Sequence, residues 1–181
     1  MLDLKTGKFV IDAEKGWEVH PFMTREEFQK SGLFNSEYLI RDPKFSMDDP
    51  FFGFKPININ GCDMYMCIFV GEGEKGFVET IELSSVESYK FHWRPYDENW
   101  EKTAFDIKRM HDEFLMREVG LSSSNIDSEK YDNDYLTDWG TFSSNICLMH
   151  EPDISITIRY DNITEEDRKR YRAMPDDICW S

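Results

Sequence analysis

The sequence has no long run of apolar residues. No stretch of its 181 residues approaches the ~20 consecutive apolar residues that a membrane-spanning helix needs. The segment from Met1 to Gly7 also lacks the basic and apolar regions of a secretory signal peptide. We therefore expect a cytoplasmic protein that neither crosses nor binds a membrane.

Cysteine and histidine are few and widely spaced. The four cysteines are Cys62, Cys67, Cys147 and Cys179. The four histidines are His20, His92, His111 and His150. No CxxC pair occurs, and zinc sites need Cys or His ligands at short, regular spacing. The spacing predicts free and mostly buried thiols, with no metal site and no other cofactor.

The chain is poor in positive charge. Its 21 Lys and Arg residues stand against 36 Asp and Glu residues, which gives a formal net charge of −15 at pH 7. Proteins that bind nucleic acids or anionic membranes need clustered positive charge, so neither partner is expected. The basic run from Arg168 to Arg172 follows an acidic run, Glu165 to Asp167, and is expected to pair with it on one helix.

Recognised catalytic motifs are absent as well. The sequence contains neither a GxSxG nucleophile elbow nor a Ser-x-x-Lys pair. An EF-hand calcium loop numbered from Asp127 would need Gly and Glu where the chain has Asp132 and Asp138. These absences favour a non-enzymatic protein. Two alternatives stay open: a hydrolase that uses carboxylates and His111 in a cleft, and a protein that binds a small ligand on the concave face of its sheet.

Aromatic side chains, in contrast, are abundant. Hydrophobic residues make up 40% of the chain and aromatic residues 15%. Each ring buries on the order of 150 to 250 Å² of surface, so a packed core can form without disulfides or metal. A chain of this length favours a single domain over residues 1–181. The acidic side chains are then expected on the surface of that domain.

Several segments predict an antiparallel sheet. Asn60-Gly61, between the apolar segments 57–59 and 62–70, is the strongest hairpin signal in the chain. Residues 154–160 alternate strictly between apolar and polar, and Tyr89 to Trp93 alternates aromatic with basic side chains, as half-buried strands do. Further strands are predicted within the first twenty residues, at 77–83 and at 139–149.

Three helices are predicted from their ends. Thr24-Arg25-Glu26-Glu27 has the pattern of a capping box and predicts a short helix near 24–31. A long helix is predicted over 97–119, closed by Gly120, and another short capped helix near 164–173. The apolar stripe of the long helix consists of Trp100, Ala104, Ile107, His111 and Phe114. The expected fold class is α+β, an antiparallel β-sheet with the long helix packed on one face.

Two segments are predicted to be irregular. Residues 35–55 have the composition of a connection held down by its aromatic rings. Residues 122–138 are polar and strongly acidic, which predicts a mobile surface loop. This second segment combines carboxylates that attract a basic partner with rings that can anchor it. Partner binding is therefore predicted at Tyr131, Asp132, Asp134, Tyr135 and Asp138.

Three stretches carry a resemblance to known proteins: Leu2 to Phe9, Met23 to Ser31 and Trp139 to Ser144. They resemble stretches that recur in small uncharacterised bacterial proteins, some of which are similar to immunity partners of secreted polymorphic toxins. The resemblance implies an α+β cytoplasmic protein that neutralises a toxin domain. Together with the acidity, it predicts a non-enzymatic immunity protein whose partner is a basic toxin domain.

Overall fold

The computed structural model describes residues 1–41, 50–71, 76–120, 127, 130–148 and 152–172. Within these ranges the chain forms eight strands and four helices. The strands are β1 (Phe9–Asp12), β2 (Trp17–Val19), β3 (Phe51–Ile59), β4 (Cys62–Val70), β5 (Val78–Ser85), β6 (Asp132–Leu136), β7 (Thr141–Cys147) and β8 (Asp153–Arg159). The helices are α1 (Arg25–Lys30), α2 (Val86–His92), α3 (Trp100–Val119) and α4 (Glu165–Arg172).

Six strands form one antiparallel sheet in the order β3-β4-β5-β8-β7-β6. Each half is a three-stranded meander, and the halves meet where β5 pairs with β8. Helix α1 precedes the first meander and α3 precedes the second, while β1 and β2 form a separate hairpin. The α+β class and the antiparallel sheet predicted from the sequence are confirmed.

The Asn60-Gly61 turn joins β3 to β4 as predicted. Asn60 has φ 49° and Gly61 has φ 88°, which is the left-handed backbone that tight hairpin turns require. The Asn58 side chain accepts a hydrogen bond from the Gly61 amide at 3.1 Å and closes the loop. This turn sets the register in which Ile59 faces Cys62.

Capping boxes begin both short helices that the sequence predicts. The Thr24 hydroxyl accepts from the Glu27 amide at 3.2 Å, and the Glu27 carboxylate accepts from the Thr24 amide at 2.7 Å. Thr164 and Asp167 repeat this exchange at the start of α4. Each box satisfies backbone donors that the first helical turn leaves without partners.

Helix α3 begins at Trp100 and ends at Gly120, whose φ is 67°. It packs on β7 and β8, so the long helix lies on one face of the sheet, as predicted. Its buried side also contains charged residues, among them Lys108 and Asp112, whose side chains form an ion pair at 3.0 Å. The apolar stripe predicted from the sequence did not include this pair.

The prediction of a strand over Tyr89 to Trp93 is wrong, because these residues belong to α2 and its C-terminal end. Ser85 caps the helix by accepting a hydrogen bond from the Ser88 amide at 3.1 Å. Phe91 turns inward and packs on Trp100, with ring centroids 4.9 Å apart. The alternation of rings therefore reflects one buried ring between two exposed ones on a single helical turn.

Both segments predicted to be irregular contain strands. The connection predicted at 35–55 gives way to β3 from Phe51 onward, and residues 42–49 lie outside the described residues. The loop predicted at 122–138 includes β6, which pairs with β7 from Asp132 through Leu136. Residues 121–126 and 128–129 of that region are also outside the described ranges. Pairing with the next strand, β7, stabilises an extended conformation that the polar sequence of β6 does not itself indicate.

The core lies between the inner face of the sheet and the helices α1 and α3, together with the β1–β2 hairpin. Two buried side chains fasten the N-terminal residues to the sheet. The Trp139 indole donates to the Leu4 carbonyl at 3.0 Å, and the Tyr160 hydroxyl donates to the Gly7 carbonyl at 2.9 Å. This packing leaves the opposite face of the sheet for other contacts.

Candidate functional site

The outer face of the sheet is polar because its strands alternate. In β8 the side chains of Ile154, Ile156 and Ile158 are fully buried in the core. Successive side chains of a strand point to opposite faces, so Asp153 and Arg159 lie on the outer face. The same alternation in β5 and β6 directs further carboxylates outward.

An open groove of about 640 Å³ runs across this outer face. Among the charged residues that line it, five are carboxylates and one is a cation. These residues are Glu79, Glu82, Asp132, Asp134, Asp153 and Arg159. We call this surface the acidic groove. It spans both meanders, since β5 belongs to the first and β6 and β8 to the second.

Strand register fixes the spacing of these carboxylates. Asp134 pairs with Ser143, Ser143 with Thr157, and Thr157 with Glu82. Neighbouring strands are about 4.8 Å apart, which places Asp134 and Glu82 on the order of 14 Å from each other. Within the described residues, no three His, Cys, Asp or Glu side chains come together in a way that could hold a metal ion. The charges are distributed over a surface rather than gathered at a point.

Glu82 is the carboxylate that its surroundings perturb most clearly. Partial burial raises the pKa of Glu82, and repulsion from Asp153 raises it further, whereas Arg159 lowers it. The groove therefore disfavours the charge on Glu82 when nothing is bound. A cation that approaches Glu82 and Asp153 would relieve this repulsion.

A smaller pocket of about 210 Å³ lies at one end of the groove. Its lining residues are Ser84, Ser88, Tyr89, His92, Trp93 and Asp153. We call it the aromatic pocket. Asp153 lines both the groove and the pocket, so the two form one continuous surface.

Of the acidic residues predicted to bind a partner, the structure brings two into the groove. Asp132 and Asp134 extend from the edge strand β6 and line it. Asp138 is exposed in the turn between β6 and β7 and is not among the lining residues. The acidic segment thus contributes one pair of carboxylates to a surface that other strands complete.

The two predicted tyrosines lie apart from each other. Tyr131 is 48% exposed, packs on the Phe105 ring and donates a hydrogen bond to Glu101 at 3.3 Å. Tyr135 is half-buried and stacks on Phe142 with ring centroids 4.8 Å apart. Burial raises the pKa of Tyr135 to about 12. Tyr131 can therefore meet a partner, whereas most of the Tyr135 ring is engaged in packing.

The remaining charged residues of the groove, Glu79, Glu82, Asp153 and Arg159, were missed in the sequence. Alternation in 154–160 predicted a half-buried strand and so contained part of the signal. The alternation does not give the order of the strands in the sheet. This order places outward side chains of β5 and β6 on the same face as those of β8.

A buried network positions the edge strand that contains Asp132 and Asp134. The Asp112 carboxylate accepts hydrogen bonds from Lys108 at 3.0 and 3.2 Å and from the Asn133 amide at 3.2 Å. Lys108 and Asp112 are almost fully buried, and Asn133 lies between the two groove carboxylates in β6. These buried contacts hold β6 in place and thereby position Asp132 and Asp134, which face outward on either side of Asn133.

No family model matches this chain, and no curated protein matches it. The chain is similar to a chain of one solved structure, Rhs1-CT in complex with cognate immunity protein RhsI1, with a TM-score of 0.54 and 12% sequence identity. The similarity covers 94% of this chain and 93% of that one. At this identity the likeness shows a shared fold over nearly the whole length. Within the described residues, no helix has the length and apolar character needed to cross a membrane.

His111, the candidate base of the hydrolase alternative, is fully buried. Its Nε2 atom lies 2.9 Å from the Ser85 hydroxyl, which also caps α2. Burial and, to a smaller extent, the nearby Lys108 lower the pKa of His111 to about 4. Ser85 is a hydroxyl rather than the carboxylate that an acid–base pair would need. The geometry gives His111 the role of joining α3 to the start of α2.

Proposed function

We propose that this chain is a non-enzymatic immunity protein that binds a toxin domain and blocks it by covering a basic surface. The observation that carries the proposal is the acidic groove, in which five carboxylates and one cation line an open groove on the outer face of the sheet. The shared fold with a chain of a toxin–immunity complex supports the same proposal. We place its action in the cytoplasm.

Electrostatic attraction gives such a surface its advantage. Charges of one sign steer an oppositely charged partner and raise the association rate. Dissolved salt screens this attraction, and at ordinary ionic strength the screening (Debye) length is roughly 8 to 10 Å. Asp132 and Asp134 lie on the same face as Glu82 and Asp153, so their fields add in front of the groove. Occlusion of a basic active site needs no chemistry from the immunity protein itself.

Two exposed rings provide the anchors. Trp93 lies in the aromatic pocket and is 69% exposed. Tyr131 precedes the groove residue Asp132 but its ring packs on Phe105 of α3, so it would meet a partner that reaches around the edge strand β6. Rings that become buried on binding contribute much of the affinity of protein interfaces. We therefore assign partner contacts to Tyr131, Asp132, Asp134 and Trp93, with Asp138 extending the acidic border and Tyr135 supporting β6 from the inner face.

The test uses the purified chain as bait for the products of genes adjacent to its own. We expect it to capture a basic toxin domain, to release it as NaCl is raised from 50 to about 500 mM, and to restore growth of cells that express that domain. A partner retained equally at all salt concentrations, or no partner at all, would contradict the proposal.

A triple variant tests the groove itself. Glu82→Gln, Asp132→Asn and Asp134→Asn together remove three negative charges from the groove. The matched control, Glu14→Gln with Glu37→Gln and Glu113→Gln, removes three exposed charges that do not line it. We expect the groove variant to lose capture and protection while the control keeps both. Equal losses would show that only net charge matters.

A further inference from the structure

The aromatic pocket has the chemistry of a site for one cationic side chain. Tyr89 and Trp93 supply aromatic rings, Asp153 supplies a carboxylate, and Ser84 and Ser88 lie beside them. Its volume of about 210 Å³ is below the usual range for small-molecule pockets, roughly 300 to 1,000 Å³. The pocket is therefore matched to part of a partner rather than to a whole free ligand.

Its groups are held in place before any partner arrives. Tyr89 packs on Tyr65 with ring centroids 4.6 Å apart, and the Asp153 carboxylate accepts a hydrogen bond from the Ser155 hydroxyl at 2.9 Å. The His92 ring packs edge-on against Trp93, with centroids 4.7 Å apart. Such preorganisation lowers the entropy that binding costs.

His92 adds an acceptor to the pocket. Its Nδ1 atom lies 3.0 Å from the Pro152 carbonyl oxygen. A carbonyl only accepts, so Nδ1 carries the proton, and in the neutral ring Nε2 is left as an acceptor. The pocket thus combines ring faces, a carboxylate and an imidazole acceptor.

We propose that the aromatic pocket binds an arginine side chain of the protein partner, which makes it the specificity subsite of the acidic groove. This inference rests on the proposed function for the identity of the partner. A guanidinium group is planar, stacks on aromatic rings and donates two parallel hydrogen bonds to a carboxylate. A lysine ammonium also interacts with aromatic rings, but it is a strongly hydrated point charge that neither stacks as a plane nor donates two parallel hydrogen bonds. Because the Asp153 carboxylate is negatively charged, the side chain that binds in the pocket is expected to be positively charged.

Three peptides test the pocket without any toxin. Each is an acetylated glycine–serine heptapeptide with arginine, lysine or citrulline at its centre, titrated into the ¹⁵N-labelled chain while the Trp93 indole signal is followed by NMR. We expect the arginine peptide to shift this signal with an affinity about tenfold higher than that of the neutral citrulline peptide. The lysine peptide should bind about threefold more weakly than the arginine peptide.

Asp153→Asn tests the carboxylate, and Glu113→Gln is its control. Asp153→Asn keeps the shape of the side chain and should reduce the preference for arginine over citrulline to the part that the rings supply, while Glu113→Gln should leave it unchanged. Equal shifts from all three peptides, no shift from any, or an arginine preference that is undiminished in Asp153→Asn would overturn the pocket assignment.

The two proposals can fail separately. Trp93→Ala in the full chain should weaken capture of the toxin domain about tenfold or more, as expected for an interface anchor. Unchanged capture by this variant would refute the subsite and leave the immunity function standing. Arginine-selective peptide binding by a chain that protects no cells would refute the immunity function and leave the pocket.

Discussion

The surroundings of Glu82 in the free protein disfavour a negative charge on its side chain. Burial first, and then the neighbouring Asp153, raise its pKa, and Arg159 compensates only in part. Its pKa in the folded state is therefore above the unfolded value, so ionisation of Glu82 opposes folding. This effect is absent below the unfolded pKa and is complete above the folded pKa. In the complex, a partner cation would turn the same charge into an attraction.

We expect Glu82→Gln to raise the free energy of unfolding by about 0.5 kcal/mol at pH 8 and to leave it nearly unchanged at about pH 3.5, where the carboxyl is protonated in both states. Urea unfolding at the two pH values measures this difference. The control Glu113→Gln, on the exposed side of α3, should show no such pH dependence. A stabilisation of equal size at both pH values would show that burial and Asp153 do not disfavour the charge on Glu82.

His111 makes stability depend on pH in the opposite direction. Its folded-state pKa of about 4 lies below its ordinary value of 6.5, so the unfolded state binds the proton first as pH falls. Stability is then lost as pH drops through this window. Between pH 7 and pH 5 we expect the wild type to lose about 2 kcal/mol through this residue.

The variant His111→Gln isolates that loss. Glutamine can keep a hydrogen bond to Ser85 but does not titrate, so its stability should change less between pH 7 and pH 5 than that of the wild type. Urea unfolding at half-unit steps of pH provides the two profiles. Parallel profiles would show that the pKa of His111 is the same in the folded and unfolded states, which would contradict the effect of burial.

At the scale of the element, signals confined to a few residues were the ones predicted correctly. The capping box at Thr24 and the Asn60-Gly61 turn depend only on neighbours in the chain, and both were found in the sequence. The strand β6 depends on pairing with β7, and no local pattern in its acidic residues shows this. Helix α2 was missed because its alternating rings imitate a strand, although Ser85 is a normal helix cap.

The buried ion pair between Lys108 and Asp112 links two elements of the fold, because Asp112 in α3 also accepts a hydrogen bond from Asn133 in β6. Lys108→Met should cost about 3 to 5 kcal/mol, since it leaves the Asp112 charge buried without its cation. The double variant Lys108→Met with Asp112→Leu removes both charges and should recover most of this loss. Unfolding titrations measure the stabilities, and hydrogen exchange of the β6 amides reports whether the edge strand loosens.

Two results would count against this account of the edge strand. If the double variant is as unstable as the single one, the pair does not act through its unbalanced charge. If Lys108→Met leaves exchange in β6 unchanged relative to β3, the network does not hold the edge strand.

For the whole molecule, the sequence predicted an acidic surface but not its distribution. The net charge of −15 follows from composition alone. The groove arises only when the strand order brings Glu82, Asp132 and Asp153 together on the outer face of the sheet. Distances between strands that are far apart in the chain decide this, and composition contains no information about them.

Binding kinetics should reveal the charge of the whole surface. We expect the association rate with the toxin domain to fall about tenfold or more between 50 and 500 mM NaCl, while the dissociation rate changes little. Stopped-flow fluorescence measures the first and competition the second. A salt effect confined to the dissociation rate would show that steering by the acidic surface does not operate.

Because side chains alternate along β6 and β8, neighbouring residues face opposite sides of the sheet and have different roles. Asn133 and Ile156 hold the interior, whereas Asp132, Asp134 and Asp153 meet the solvent. Substitutions at the outward positions do not alter the core packing. The residues that contact a partner can therefore change while the fold is retained. A sheet whose outward side chains take no part in the core allows the binding surface to change while the architecture stays the same.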